Sequence, residues 1–182
     1  MTIVIGLEGK KSAYLGGDSY CGDDENVDLC DTSKVFKVKN LGVGICGNLS
    51  AESVLRYSLK EYSEETITKR WLLEDFPEIL REECIDRRVA SYNKKTAYLP
   101  DDSSFIFALK GKIYVMSSDF GIFRSPRGYN SVGIATPQAA GAMEALLKTN
   151  LPPKKKIKYA LGACCSLSQF VRRPLIIMEF KA

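Results

Sequence analysis

The first quarter of the chain mixes apolar and polar positions in short runs of the length of β-strands. Residues 2–7 and 12–17 are short runs of this kind, the first rich in β-branched side chains. Residues 34–38 place two lysines among three apolar side chains, as a half-buried strand does, and residues 41–46 form a further run that stops at Gly47. These four segments predict two consecutive antiparallel hairpins.

Two stretches with helical spacing follow the hairpins. Ser50 is predicted as the N-cap of the first helix, because apolar residues at helical spacing come directly after it. The second helix is predicted at about residues 75–92, with Asp75 as its cap and Pro77 in its first turn. The sequence thus predicts a helical pair after the hairpins.

The second half of the chain repeats this order. Strands are predicted at residues 104–109, 112–117, 122–123, 131–135 and 174–180. Pro137 is expected to open a third helix, and a fourth is expected at about residues 154–170. The predicted order is strands, two helices, strands, two helices and a final strand. This order predicts two antiparallel sheets stacked between helical layers.

Length and composition limit the class of protein. A chain of 182 residues suits one domain spanning 1–182, and its net charge of +4 is too small to indicate a nucleic-acid partner. No apolar run approaches the ~20 residues that cross a bilayer, and Glu8 and Lys10 interrupt an N-terminal stretch that lacks a basic leader. We therefore expect a cytoplasmic protein without a membrane partner.

The sequence contains no histidine, and this absence limits the possible catalytic chemistry more than any other feature of the composition. It excludes Ser-His-Asp and Cys-His catalysis and histidine-ligated zinc. The base of a hydrolase would then be a lysine, a carboxylate, a metal-bound water or the amino terminus. The six cysteines lack the spacing of a zinc site and are expected as free thiols, and nothing indicates a cofactor.

Thr2 can supply both a nucleophile and a base. A small second residue usually permits removal of Met1, and the freed α-amine, with a pKa of about 7.7–8.0, can accept the hydroxyl proton. Lys34 could hold a positive charge beside that hydroxyl, and Asp18 could orient and balance the lysine. Gly47, in a turn, allows a backbone N–H to approach a reacting carbonyl.

The order and spacing of these residues resemble a known family. Four motifs carry the resemblance: Thr2-Ile3-Val4, Leu15-Gly16-Gly17-Asp18-Ser19, Ser33-Lys34-Val35-Phe36 and Gly44-Ile45-Cys46-Gly47. They are similar to the first quarter of proteasome β subunits, and more so to HslV and the small HslV-like proteins of bacteria and phages. The resemblance continues more loosely at Ser131-Val132-Gly133 and through the C-terminal helix to the last strand.

The resemblance implies an N-terminal-nucleophile hydrolase with the α+β, four-layer αββα sandwich. Thr2 would be the nucleophile and its freed amine the base, with Asp18 and Lys34 as the activating charge pair and Gly47 as the oxyanion donor. The substrate would be a peptide or unfolded protein. Such subunits usually assemble into homo-oligomeric rings, and an ATPase partner often feeds them.

Two departures from the family pattern leave alternatives open. Ile134 stands where proteasome β subunits carry a serine, and residues 164–169 contain no carboxylate where an aspartate and a serine are expected, with Ser168 as a partial replacement. Three functions therefore compete: a threonine peptidase, a ring-forming scaffold with little or no hydrolase activity, and an amidase for a small non-peptide substrate.

Overall fold

Two antiparallel sheets, of four and five strands, form the centre of the fold. The computed structural model describes residues 2–22, 27–29, 32–93, 96–100 and 103–182. Its strands are β1 (Ile3–Glu8), β2 (Ser12–Gly17), β3 (Tyr20–Gly22), β4 (Val27–Leu29), β5 (Val35–Val38), β6 (Leu41–Cys46), β7 (Ser91–Asn93), β8 (Thr96–Tyr98), β9 (Ser104–Leu109), β10 (Lys112–Met116), β11 (Ile122–Phe123), β12 (Tyr129–Gly133) and β13 (Ile176–Lys181). Its helices are α1 (Leu49–Lys60), α2 (Phe76–Asp86), α3 (Thr136–Leu147) and α4 (Pro153–Leu167).

Each of the two N-terminal hairpins belongs to a different sheet. The first hairpin contributes the central strands of the four-stranded sheet, whose order is β12-β1-β2-β13. The second hairpin lies at one edge of the five-stranded sheet, whose order is β11-β10-β9-β6-β5. Two further hairpins, β3-β4 and β7-β8, stand apart from both sheets.

Three buried apolar clusters separate four layers. One lies between the sheets, where Val4 and Leu15 of the first sheet meet Ile106 and Val115 of the second. A second cluster joins the outer face of the five-stranded sheet to α1 and α2, and a third joins the four-stranded sheet to α3 and α4. The predicted αββα sandwich is confirmed, since each sheet buries both of its faces.

Ion pairs and hydrogen bonds to Glu8 connect the two sheets at one end. The Glu8 carboxylate, at the end of β1, accepts hydrogen bonds from the Ile113 amide of β10 at 3.2 Å and from the Arg124 guanidinium at 2.8 Å. Lys112 adds an ion pair at 3.1 Å. Burial alone would raise the pKa of Glu8, but these donors outweigh it and lower that pKa to about 2.

The predicted hairpins are confirmed, whereas several of the predicted helix ends are wrong. Helix α1 begins two residues early because Asn48, not Ser50, is its N-cap, and the Asn48 side chain accepts the Ser50 amide at 2.8 Å. The helix predicted over 75–92 ends at Asp86, where Arg88 takes a positive φ of 56°, and its C-terminal part is strand β7. A π-helical turn, Trp71–Asp75, leads into it.

The last helix is shorter than predicted, and the described cysteines are free. Helix α4 ends at Leu167 rather than at residue 170, because Ser168 has extended backbone angles. The described cysteines are free thiols, as expected, and Cys30 lies outside the described residues. No helix in the described part of the chain is long and apolar enough to cross a membrane.

Gly16 makes the close contact between β2 and α4 possible. A Cβ at Gly16 would lie 2.3 Å from Cγ2 of Ile157. We therefore expect Gly16→Ala to lower the free energy of unfolding by about 1–3 kcal/mol through overpacking, as measured by urea denaturation. The control is Gly162→Ala in α4, where nothing lies within 4 Å of a new Cβ and helix propensity should add about 0.5–1 kcal/mol. Wild-type stability in Gly16→Ala would contradict the packing described.

Candidate active site

Thr2 lies at the start of β1 with its backbone held by the end of β12. Its carbonyl accepts the Ile134 amide at 2.9 Å. Gly133 makes this approach possible: it has a φ of +118°, and a Cβ there would lie 2.2 Å from the Thr2 carbonyl oxygen. The Thr2 residue is buried, so its hydroxyl has a fixed position.

Asp18 reaches Thr2 because of the register of the first hairpin. The pairing of Val4 with Gly17 places the next residue, Asp18, beside the start of β1. Its Oδ1 accepts the Thr2 hydroxyl at 2.5 Å and the Ile3 amide at 3.1 Å. The Gly16-Gly17 run of β2 therefore ends with a carboxylate aimed at the Thr2 side chain.

Lys34 comes to the same point from the other sheet, directly before β5. Its Nζ donates to the Thr2 Oγ1 at 2.5 Å, to the Asp18 Oδ1 at 3.1 Å and to the Tyr20 carbonyl. These acceptors use the three protons of an ammonium group. Lys34 is thus held as a fixed point charge against the Thr2 hydroxyl.

The Lys34–Asp18 ion pair is buried. The side chains are 9% and 0% exposed, respectively. Oδ2 of Asp18, which Lys34 does not use, accepts the Tyr20 amide at 3.0 Å and the Arg172 amide at 3.3 Å. Only donors face this carboxylate in the described residues, which is what an ionised acceptor requires.

The arrangement polarises one hydroxyl group. The Thr2 O–H donates a hydrogen bond to the Asp18 carboxylate, and its oxygen accepts one from the Lys34 ammonium group. An alkoxide forming on that oxygen would lie 2.5 Å from the Lys34 charge in a site shielded from water. The geometry therefore suits attack by the Thr2 oxygen on an electrophile.

A pocket of about 360 Å³ opens at Thr2 and Lys34. The other residues that line it are Tyr20, Cys21, Gly22, Ile45, Cys46, Gly47, Asn48, Leu49 and Glu52. Gly47 lines this pocket with a φ of +111°, so the structure brings four of the predicted site residues to one place: Thr2, Asp18, Lys34 and Gly47. Of the residues between β2 and Lys34, Cys21 and Gly22 line the pocket, whereas residues 23–26 and 30–31 lie outside the described residues.

Cys46 does not compete with Thr2 as a nucleophile. Burial raises the pKa of its thiol to about 11, although the Lys34 charge acts in the opposite direction. A thiol with such a pKa is almost wholly protonated at neutral pH, and the thiolate is the reactive form. The Thr2 hydroxyl, by contrast, contacts both the Lys34 ammonium and the Asp18 carboxylate.

Ser168 lies away from these contacts. It follows the last turn of α4, and its hydroxyl accepts the Phe170 amide at 3.3 Å. No described hydrogen bond joins it to Thr2, Asp18 or Lys34, and it does not line the pocket. The geometry lends its predicted role no support.

Sequence reasoning missed the backbone groups that complete the site. Tyr20 contributes its amide and its carbonyl, Arg172 its amide, and Ile134 its amide. A backbone group has the same chemistry in every residue, so no side-chain pattern could have identified these contacts. Ile134 itself is 48% exposed, and its N–H donates to the Thr2 carbonyl.

Removing the negative charge of Asp18 should destabilise the fold. We expect Asp18→Asn, which keeps the shape of the side chain, to lower the free energy of unfolding by about 3–5 kcal/mol, because the Lys34 charge stays buried without a counter-charge. Glu74→Gln is the control, since the Arg70–Glu74 pair is exposed and should contribute at most about 1 kcal/mol. Equal effects in urea denaturation would contradict the burial argument.

The comparisons with known proteins bear on the fold. No family model and no curated protein matches the sequence at a significant level. Solved structures do match. BPH of Thiobacillus denitrificans in complex with epoxomicin has a TM-score of 0.81 at 13% identity, over 99% of this chain and 100% of that chain. HslV from Trypanosoma brucei has a TM-score of 0.72 at 13% identity, over 99% of both chains.

A third solved structure also matches. Anbu, an ancestral β-subunit from Yersinia bercovieri, has a TM-score of 0.69 at 12% identity, over 98% of this chain and 81% of that chain. All three likenesses cover nearly the whole of this chain and rest on structure rather than on sequence identity. The chain therefore has the α+β fold of proteasome-like N-terminal-nucleophile hydrolases.

Proposed function

We propose that this protein is a threonine peptidase that hydrolyses peptide bonds with Thr2 as its nucleophile. The observation that carries the proposal is the position of the Thr2 hydroxyl, held between the Lys34 ammonium and the Asp18 carboxylate at the edge of a pocket. The likeness in fold to HslV and to a BPH solved with epoxomicin supports the same reaction class.

The reaction requires Thr2 to be the first residue. While Met1 is attached, the Thr2 nitrogen is an amide and cannot accept a proton. Once Met1 is removed, the α-amine takes the hydroxyl proton as the Thr2 oxygen attacks the scissile carbonyl. Lys34 stabilises the developing negative charge on that oxygen, and Asp18 keeps Lys34 in place.

Collapse of the tetrahedral intermediate and hydrolysis complete the cycle. The oxyanion of the intermediate is stabilised by the backbone N–H of Gly47, which lines the pocket beside Thr2. The protonated amine then gives its proton to the leaving amine, and an ester to Thr2 forms as the peptide C–N bond breaks. Water activated by the same amine hydrolyses the ester and restores the free hydroxyl.

The proposed substrate is a peptide or an unfolded polypeptide. The pocket of about 360 Å³ has room for one side chain, and its lining combines apolar groups such as Ile45 and Leu49 with the Glu52 carboxylate. We further propose a cytoplasmic homo-oligomeric ring and an ATPase partner that delivers substrate, as the likeness to HslV suggests.

A scaffold without hydrolase activity is the second candidate. Two observations favour it: Ile134 takes the position of a family serine, and the end of α4 supplies no carboxylate and no described contact from Ser168 to Thr2. A scaffold would keep the buried ion pair for its stability alone. The two candidates differ in whether the Thr2 hydroxyl turns over substrate.

Fluorogenic peptide hydrolysis by Thr2 variants separates these candidates. For a peptidase, Thr2→Ala should lower the rate by at least about 10³-fold, and Thr2→Ser, which keeps a hydroxyl, should retain measurable turnover. Thr149→Ala, which removes an exposed hydroxyl beyond α3, is the matched control and should behave as wild type. Equal rates in wild type and Thr2→Ala would favour the scaffold.

Assembly is tested independently of activity. We expect light scattering at micromolar concentration to give a mass of several times 20.2 kDa, the mass of one chain. Surfaces shared between copies would explain the large apolar side chains exposed on the single chain, including Leu49, Tyr57 and Leu167. A monomer at this concentration would contradict the proposed ring.

A further inference from the structure

The turn that carries Gly47 is held by a buried serine from a distant part of the chain. This turn connects β6 to α1, and Ser103, directly before β9, packs against it. Ser103 is 0% exposed. The family motifs in the sequence do not include this residue.

The Ser103 hydroxyl has a fixed direction. It donates to the Pro100 carbonyl and accepts the Asn48 amide at 2.9 Å. The Ser103 amide also donates to the Pro100 carbonyl, at 2.9 Å. A hydroxyl with both a defined acceptor and a defined donor cannot rotate freely, so Ser103 holds the Asn48 N–H at one position.

Ser103 also fixes Gly47 sterically. A Cβ built on Gly47 would lie 2.4 Å from both the Cα and the Oγ of Ser103, so the two residues are in close contact and only glycine fits. On the other side of Gly47, the ladder between β6 and β9 pairs Cys46 with Ser104. Gly47 is therefore held by the sheet before it and by the Ser103 hydroxyl after it.

These contacts determine the two peptide planes around Gly47. The Asn48 N–H belongs to the plane that follows Gly47, so its hydrogen bond to Ser103 fixes that plane. Rotations about φ and ψ of Gly47 relate this plane to the preceding one, which carries the Gly47 N–H, and the close approach of Ser103 to Gly47, whose φ is +111°, leaves little room for them. The direction of the Gly47 N–H thus depends on Ser103.

We propose that Ser103 is a positioning residue for the oxyanion donor: it holds the Gly47 N–H in the orientation that stabilises the tetrahedral intermediate. The proposal rests on the proposed peptidase function, because it assigns Ser103 a role in that reaction. Ser103 acts through Gly47, so its loss should weaken stabilisation of the transition state and leave binding of the ground-state substrate largely intact.

Ser103→Ala tests this with a matched control in the same chain. Ser58 is also a buried serine, in α1, and no described residue hydrogen-bonds its hydroxyl. We expect Ser103→Ala to lower kcat by about 10- to 100-fold with KM within about twofold, below the ~10²–10³-fold effect of deleting an oxyanion donor. Ser58→Ala should leave both constants at wild-type values.

A second variant covers the case in which Ser103→Ala does not fold. Ser103→Cys keeps a side chain of similar size but offers only a weak acceptor to the Asn48 amide, so kcat should again fall while KM holds. A wild-type kcat in either folded variant would overturn the proposal. So would a change in KM as large as the change in kcat.

Amide hydrogen exchange separates failure of this proposal from failure of the proposed function. If wild type shows no turnover, the peptidase function has failed, and the exchange of the Asn48 amide, which donates to Ser103, still reports on the turn. Ser103→Ala should then raise its exchange rate at least about tenfold relative to Ser58→Ala. Equal exchange rates in the two variants would show that Ser103 does not hold the turn.

Discussion

The buried ion pair between Lys34 and Asp18 is the constraint on which the site depends. A charge at such a position is stable only when its partner and its remaining hydrogen bonds are in place. The pair joins the two sheets, since Asp18 follows β2 and Lys34 precedes β5. The Thr2 hydroxyl lies within hydrogen-bond distance of both charges, so the same contacts that satisfy the ion pair also orient the nucleophile.

The strand registers place Asp18 and the Ile134 amide beside Thr2. Pairing of β1 with β2 brings Asp18 to Thr2, and pairing of β1 with β12 brings the Ile134 amide to the Thr2 carbonyl. Each contact comes from the end of a strand within a sheet that is buried on both faces. A one-residue slip would turn the side chains to the wrong face, so the fold and the site are specified together.

The sequence predicts the two N-terminal hairpins better than the helix ends, for a physical reason. The hairpins follow from local alternation and from turns such as Lys110-Gly111, where both residues take positive φ. The end of α2 depends on Arg88 in a left-handed conformation, which arginine rarely adopts and which no local pattern announces. Helix α1 is capped by Asn48 rather than by Ser50. The Asn48 amide also donates to Ser103, a tertiary contact that the local sequence does not show.

In the site, the functional side chains could be predicted from the sequence, whereas the backbone groups could not. Thr2, Asp18, Lys34 and Gly47 were accessible to sequence reasoning because their residue types carry the chemistry. The amides of Tyr20 and Arg172 were not, since any residue could supply them. The role of Ser168 stays a prediction from the sequence, and its described hydrogen bond is to the Phe170 amide in its own turn.

The proposed role of the Thr2 α-amine is tested most directly by comparing two preparations of the same chain, one with Thr2 as its first residue and one with Met1 retained, each verified by intact mass. If the Thr2 α-amine is the base, peptide turnover by the first preparation should exceed that of the second by about 10²–10⁴-fold, the contribution of a positioned general base. Equal turnover in the two preparations, or none in either, would contradict the claim that Thr2 acts as an N-terminal nucleophile.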